Sequence, residues 1–110
     1  MAIYIDWLCR HGWRLRGRTI LSCHLFPEGP ATEALEELHT FARRIGLKRS
    51  WFQAAPTGRM AGSVPHYDLT AGKRAQAVAA GAIELTRKTL PPLLSRLRPY
   101  GPYGRQKGRR

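Results

Sequence analysis

Acidic side chains are scarce in this chain: seven Asp and Glu stand against nineteen Lys and Arg, which leaves 110 residues with a formal charge of +12. An excess of that size favours polyanionic partners, such as nucleic acid, ribosomes or an anionic surface. Cysteine is also scarce. Cys9 and Cys23 show no repeated pair spacing, so neither a disulfide scaffold nor a four-ligand zinc site is indicated, and a reducing cytoplasm is the expected setting. No apolar run approaches the roughly 20 residues that span a bilayer, so no membrane partner is expected. The opening MAIYIDWLCRHGWRLR meets Asp6 and Arg10 too early for a signal-peptide core, and a soluble, unsecreted protein is the expectation. There is no Walker motif and no dinucleotide fingerprint: the glycines of TGRMAGS and AAGA have the wrong spacing and context. A nucleotide cofactor is therefore unsupported, and the cofactor stays unassigned.

With 43% apolar residues the chain suits one small folded domain. Ile3 and Ile5 alternate with Tyr4 as in a short strand that ends at Asp6, and Trp7 to Trp13 reads as a loop in which Gly12 is free to take a positive φ. Arg14 to Phe26 reads as a hairpin turning at Arg16-Gly17. Leu35, Leu38, Ala42 and Ile45 recur at helical spacing, with Glu33, Glu36 and Glu37 early, Arg43 and Arg44 late, and Gly46 as the stop. His39 falls at the edge of that apolar stripe, as a packing residue. Leu47 to Ala54 reads as a buried strand around Trp51 and Phe52, and Ala55 to Ser63 as a mobile surface loop. A helix from Ala71 to about Ala80 is expected to bury Ala75, Val78 and Ala79, with a short strand over Ala82 to Leu85. Leu90, Leu93, Leu94 and Leu97 return to helical spacing behind Pro91-Pro92. The order predicts an α/β sandwich: a short mixed sheet, two main helices and a short C-terminal helix. Its units are an α/β domain over residues 1–86, a short helix over 87–97 docked on that domain or on a partner, and a basic disordered tail over 98–110.

Most of the candidate chemistry lies in Val64 to Arg74, VPHYDLTAGKR. In an extended chain His66 and Asp68 share one face and Tyr67 takes the other, so an imidazole and a carboxylate can meet one ligand. Thr70 sits as the N-cap of the following helix, and Lys73 and Arg74 place positive charge in its first turn, where it opposes the helix dipole unless an anion is bound. The competing reading makes Asp68 that anion, Tyr67 core and the basic pair solvated surface. As an acid/base site the residues are His66 and His11, oriented by Asp68 and Asp6, with Arg10, Thr70, Lys73 and Arg74 binding an anion. His11, His24 and His66 with Asp6 or Asp68 are also residue types that hold zinc or a non-haem metal. No HxxxH or HExxH pair supports this, and Cys23 and His24 face opposite sides of a strand, so no metal is expected. Cys23, in an apolar strand, is expected to be a structural thiol.

Taken in order, IYID, RHGWRL, SCHL, ELHTFARRIGLKRSWFQ, PHYDLT and KRAQAVAAGAIEL resemble the small bacterial and phage proteins of the domain-of-unknown-function family numbered four thousand and thirty-one, over about residues 2–85. The family carries no established activity to transfer. The resemblance implies that Asp6, His11, Gly12, Trp13, Ser22, Cys23, His24, Trp51, His66, Tyr67, Asp68, Lys73 and Arg74 stand at its motif positions. The basic tail lies outside it.

Charge location leads to the first function class. Residues 87–110 hold eight Lys or Arg and no acid, whereas residues 1–86 hold eleven basic and seven acidic residues. Arg96, Arg98, Arg105, Lys107, Arg109 and Arg110 are phosphate contacts in waiting, and Tyr100 and Tyr103 are placed to stack on unpaired bases. Non-specific binding of nucleic acid or another polyanion is thus the leading expectation. An acid/base enzyme acting on a phosphate- or nucleotide-containing substrate is the alternative, and a non-catalytic interaction protein the third.

Overall fold

The central element of a computed structural model of the protein, which describes residues 2–29, 31–54, 61 and 64–97, is one long strand with a neighbour on each edge. The elements run β1 (Ile3–Ile5), β2 (Cys9–Leu15), β3 (Arg18–Pro27), α1 (Thr32–Arg44), a single 3₁₀ turn (Arg49–Trp51), β4 (Phe52–Gln53), β5 (His66–Thr70), α2 (Ala71–Ala79), β6 (Ile83–Glu84) and α3 (Leu90–Leu97). Among the described residues six strands form one mixed sheet in the order β4-β5-β3-β1-β6, with β2 also paired to β3. β3 lies antiparallel to β1, β2 and β5, and β1 runs parallel to β6.

The hairpin β2-β3 turns where the sequence predicts. Arg16 and Gly17 both take positive φ, 54° and 79°, as a two-residue turn requires if it is to follow the twist of its strands. The expected loop over Trp7 to Trp13 is corrected: from Cys9 onward it is β2. The strand accommodates Gly12 through a bulge, because Arg10 pairs with Leu21 and Arg14 with Thr19, so that His11, Gly12 and Trp13 oppose Ile20 alone. Gly12 takes φ 85° there. The expected strand over Leu47 to Ala54 shrinks to Phe52–Gln53, preceded by the 3₁₀ turn, and Trp51 is 46% exposed. Ring size alone does not bury a tryptophan that the backbone turns outward.

Strand alternation divides the sheet into two faces. On one, Ile3, Ile5, Cys23, Leu25, Tyr67 and Leu69 pack with Leu38, Phe41 and Ala42 of α1, with Ile45 at its C-terminal cap and with Ala77 of α2. The expected burial of Ala75 and Ala79 is thus shifted to Ala77, with Val78 partly covered. His39 is a packing residue as expected: its Nδ1 lies 2.8 Å from the Tyr67 hydroxyl. On the other face Phe26, Val64 and Leu85 meet Leu90, Leu93, Leu94 and Leu97 of α3, with Tyr4 and Trp7 at the margin. Helix α3 is therefore docked on the chain's own domain, and its leucines are not available to a partner. Ala61, inside the expected surface loop, is buried in the same cluster, and the rest of that loop lies outside the described residues. Helix α3 covers only one end of its face. Among the described residues no helix is long and apolar enough to cross a membrane.

Candidate functional site

The uncovered end of the α3 face carries the polar residues of the same strands. Ser22 and His24 alternate with buried Cys23 and Leu25 on β3, His66 and Asp68 alternate with Tyr67 on β5, and His24 pairs directly with Asp68 across the two strands. Asp6 follows β1 on the opposite edge of β3. Gln53 pairs with His66 from β4. The bulge in β2 carries His11 inward until its ring centroid lies 4.6 Å from that of His24, which is 4.8 Å from that of His66. Five ionisable side chains from distant parts of the sequence thus share one patch.

Hydrogen bonds fix how each ring is turned. The Asp6 carboxylate accepts from the His24 amide at 2.6 Å and contacts His24 Nδ1 at 2.8 Å. The Val64 carbonyl can only accept, so His66 Nδ1, at 2.6 Å, donates to it. Both rings therefore present Nε2 to Asp68 Oδ1, at 3.8 Å from His24 and 3.3 Å from His66. The other Asp68 oxygen accepts from the Gln53 side chain. His24 and His66 are buried, with side chains 8% and 2% exposed, whereas that of Asp68 is 35% exposed. Burial pushes the Asp68 carboxyl up, but the hydrogen bond and charge of His66, with help from His24 and Gln53, outweigh it and hold the group below its ordinary range. His11 is held below its ordinary range by partial burial and by His24, against the pull of Asp6 and Asp68.

Two cavities open onto this patch. One of about 310 Å³ is lined by His11, Gly12, Trp13, Ser22 and Asp68. The other, of about 520 Å³, runs from Trp13 and Asp68 past Gln53 to Trp51, Phe52, Thr70 and Lys73. Asp68 and Trp13 belong to both.

Of the residues the sequence nominates for acid/base work, His66, Asp68, His11 and Asp6 do converge. Of the nominated anion binders, Thr70 and Lys73 line the larger cavity with Asp68, and Arg10 and Arg74 line neither cavity. Thr70 caps α2 by accepting from the Lys73 amide at 3.3 Å, as expected, but Lys73 Nζ donates to the Ile45 carbonyl at the end of α1, 2.7 Å away. Arg74 donates to the Asp6 carbonyl at 2.9 Å and to Glu84 at 3.2 Å, and Arg10 is exposed on β2. Both side chains thus meet acceptors within the fold, Lys73 a carbonyl and Arg74 a carbonyl and a carboxylate. The nominated Arg98, Tyr100, Tyr103, Arg105, Lys107, Arg109 and Arg110 lie outside the described residues, as does the side chain of Arg96. His24 is missing from the nominated catalytic set although it sits at the centre of the patch. Its signal is a polar residue in the otherwise apolar run CHLF, on the parity of Ser22. Spacing predicts no metal, yet the fold gathers ligand atoms of His24, His66 and Asp68 within 4.8 Å of one another.

Cys23 is 0% exposed, and burial, with Asp6 adding to it, pushes its thiol up to about 12. A thiol reagent at pH 8 should therefore label Cys9 in the native protein and reach Cys23 only on unfolding. Mass spectrometry of the labelled peptides checks this; rapid native labelling of Cys23 would reinstate it as a candidate nucleophile.

In comparison with known proteins, residues 3–97 match a family model described as a protein of unknown function, DUF4031. No curated protein and no solved structure matches the chain.

Proposed function

Starting from a chain that belongs to the DUF4031 family of proteins of unknown function, we propose that it is an acid/base enzyme acting on a phosphate-containing substrate, with His24, His66 and Asp68 at its centre. The observation that carries this reading is the burial of two histidines turned onto one carboxylate, on a sheet face that α3 leaves open to two cavities. Buried ionisable groups are costly and are found chiefly where they are used. Asp6 positions His24, and Gln53 steadies Asp68. His11, neutral at neutral pH and lining the smaller cavity, is the group that exchanges protons with water or with a leaving oxygen. Lys73 and Thr70 border the larger cavity, whose aromatic wall of Trp13, Trp51 and Phe52 suits a planar portion of a substrate.

Net charge supports a second reading that is compatible with the first: binding of nucleic acid or another polyanion. Besides the cations beyond residue 86, the hairpin exposes Arg10, Arg14, Arg16 and Arg18. The free thiols Cys9 and Cys23 fit a cytoplasmic protein.

The test is turnover of a chromogenic phosphodiester by the intact chain, alongside Asp6→Asn. An amide at residue 6 still accepts from the His24 backbone but offers a donor where Nδ1 needs an acceptor, so the ring loses its preferred tautomer. Turnover should fall roughly 10- to 100-fold while the melting temperature changes by only a few degrees. No turnover of any phosphate ester, or an Asp6→Asn protein as active as the native one, would end the enzyme reading.

A further inference from the structure

We infer that His24, His66 and Asp68 are the protein ligands of a divalent transition-metal ion, held with one coordination position open to the His11 cavity; this rests on the reading of the same cluster as a catalytic centre.

The argument begins with the tautomers. The Val64 carbonyl and the Asp6 carboxylate hold the Nδ1 protons of His66 and His24. A neutral imidazole protonated at Nδ1 carries a lone pair at Nε2. Both Nε2 atoms face Asp68 Oδ1, which is itself an acceptor. With no proton on either Nε2, three lone-pair donors around one point repel one another unless positive charge sits between them. A cation at the centre turns all three contacts favourable.

The dimensions fit. Zinc bonds to nitrogen and oxygen of about 2.0 to 2.1 Å place neighbouring ligand atoms of a tetrahedron about 3.3 Å apart. The His66–Asp68 edge is already 3.3 Å and the His24–Asp68 edge is 3.8 Å, while all three ligand atoms lie within 4.8 Å of one another, so the two imidazole nitrogens have to draw together by up to about 1.5 Å. Two imidazoles and one carboxylate are the donor set of zinc and its first-row neighbours rather than of calcium or magnesium, which take oxygen. The outer partners are also those of a metal centre: an acceptor on each Nδ1, and the Gln53 amide on the free oxygen of Asp68. With three protein ligands the ion keeps a position for water or substrate, and Asp68 lines the cavity that contains His11. An ion held there would lower the proton affinity of a bound water toward neutral pH and would so supply the nucleophile that the cluster otherwise lacks.

The test uses the full chain, stripped with a chelator and titrated calorimetrically with zinc ion alone, with magnesium as the competing ion. One equivalent of zinc should bind and should raise the melting temperature. His66→Gln and Asp68→Asn should each weaken uptake by at least about 100-fold, Asp6→Asn by roughly 10- to 100-fold, and His39→Gln, a histidine outside the cluster, hardly at all. Asp68 is partly exposed, so Asp68→Asn decides the matter if His66→Gln fails to fold. Absence of stoichiometric zinc uptake, or uptake indifferent to both ligand substitutions, would overturn the site. Zinc binding is read without substrate, so the two readings fail separately. A metal site with no phosphodiester turnover sinks only the enzyme reading, and turnover that survives complete chelation sinks only the metal.

Discussion

Replacement of His11 by Gln is expected to lower phosphodiester turnover by roughly 10²- to 10⁴-fold, the usual worth of a positioned acid or base. The melting temperature should stay near that of the native protein. The expectation follows from where the β2 bulge places the ring: exposed, lining the smaller cavity, and 4.6 Å between centroids from buried His24. Its proton affinity lies below the ordinary range because of partial burial and then because of His24, so the ring is neutral and able to accept at neutral pH. Glutamine keeps much of the size and polarity but cannot shuttle a proton. Added imidazole should therefore restore part of the lost turnover, which it would not do if His11 served only to wall the cavity. A variant with native kcat, or a loss that imidazole does not touch, removes His11 from the mechanism.

Deletion of residues 98–110 is expected to abolish most of the salt dependence of nucleic-acid binding. The segment holds Arg98, Arg105, Lys107, Arg109 and Arg110, and five neutralised phosphates correspond to a slope of log affinity against log salt of roughly −3.5 on single strands and −4.5 on duplex. Between 50 and 200 mM salt that amounts to about a 100-fold loss for single strands. Truncation has to fall after residue 97, because Leu97 is 4% exposed in the α3 core and a cut at Ser95 would remove it. Titration of a fluorescent oligonucleotide at two salt concentrations compares the full-length and shortened chains. Equal affinity and slope would transfer the binding to Arg10, Arg14, Arg16 and Arg18 of the hairpin, and absence of binding by both would end the nucleic-acid reading.

What could be read in advance depended on how local its cause was. Helix α1 was legible because apolar period, charge order and the stop at Gly46 all agree. The parity of His66, Tyr67 and Asp68 was legible because a strand has only two faces. Of the residues expected to be buried on α2, Val78 packs partly against the core and Ala75 and Ala79 are exposed beside buried Ala77, since the alanines give a helical wheel almost no contrast. The strand over Cys9 to Leu15 was hidden by Gly12, whose positive φ reads as a loop until a partner strand shows it to be a bulge. The site was only half legible for a different reason. Asp6, His24 and Asp68 meet because β3 lies between β1 and β5, and that strand order is set by tertiary packing. The same order makes His24, one polar residue in an apolar run, the centre of the patch.

The alternation on β5 also bears on how this protein can change over time. Tyr67 and Leu69 sit in the core shared with α1, while His66 and Asp68 on the same strand take the opposite face, where Asp68 lines both cavities. Substitutions at the odd and even positions therefore answer to different selective demands and can drift almost independently. A change in length cannot. One residue inserted between Val64 and Thr70 would turn each side chain beyond it to the opposite side, trading the aromatic core for charged groups and the cluster for apolar ones in a single event. Point replacement is thus the route by which this family can vary its chemistry on β5, and insertions and deletions there should be purged whether or not the chemistry is under selection.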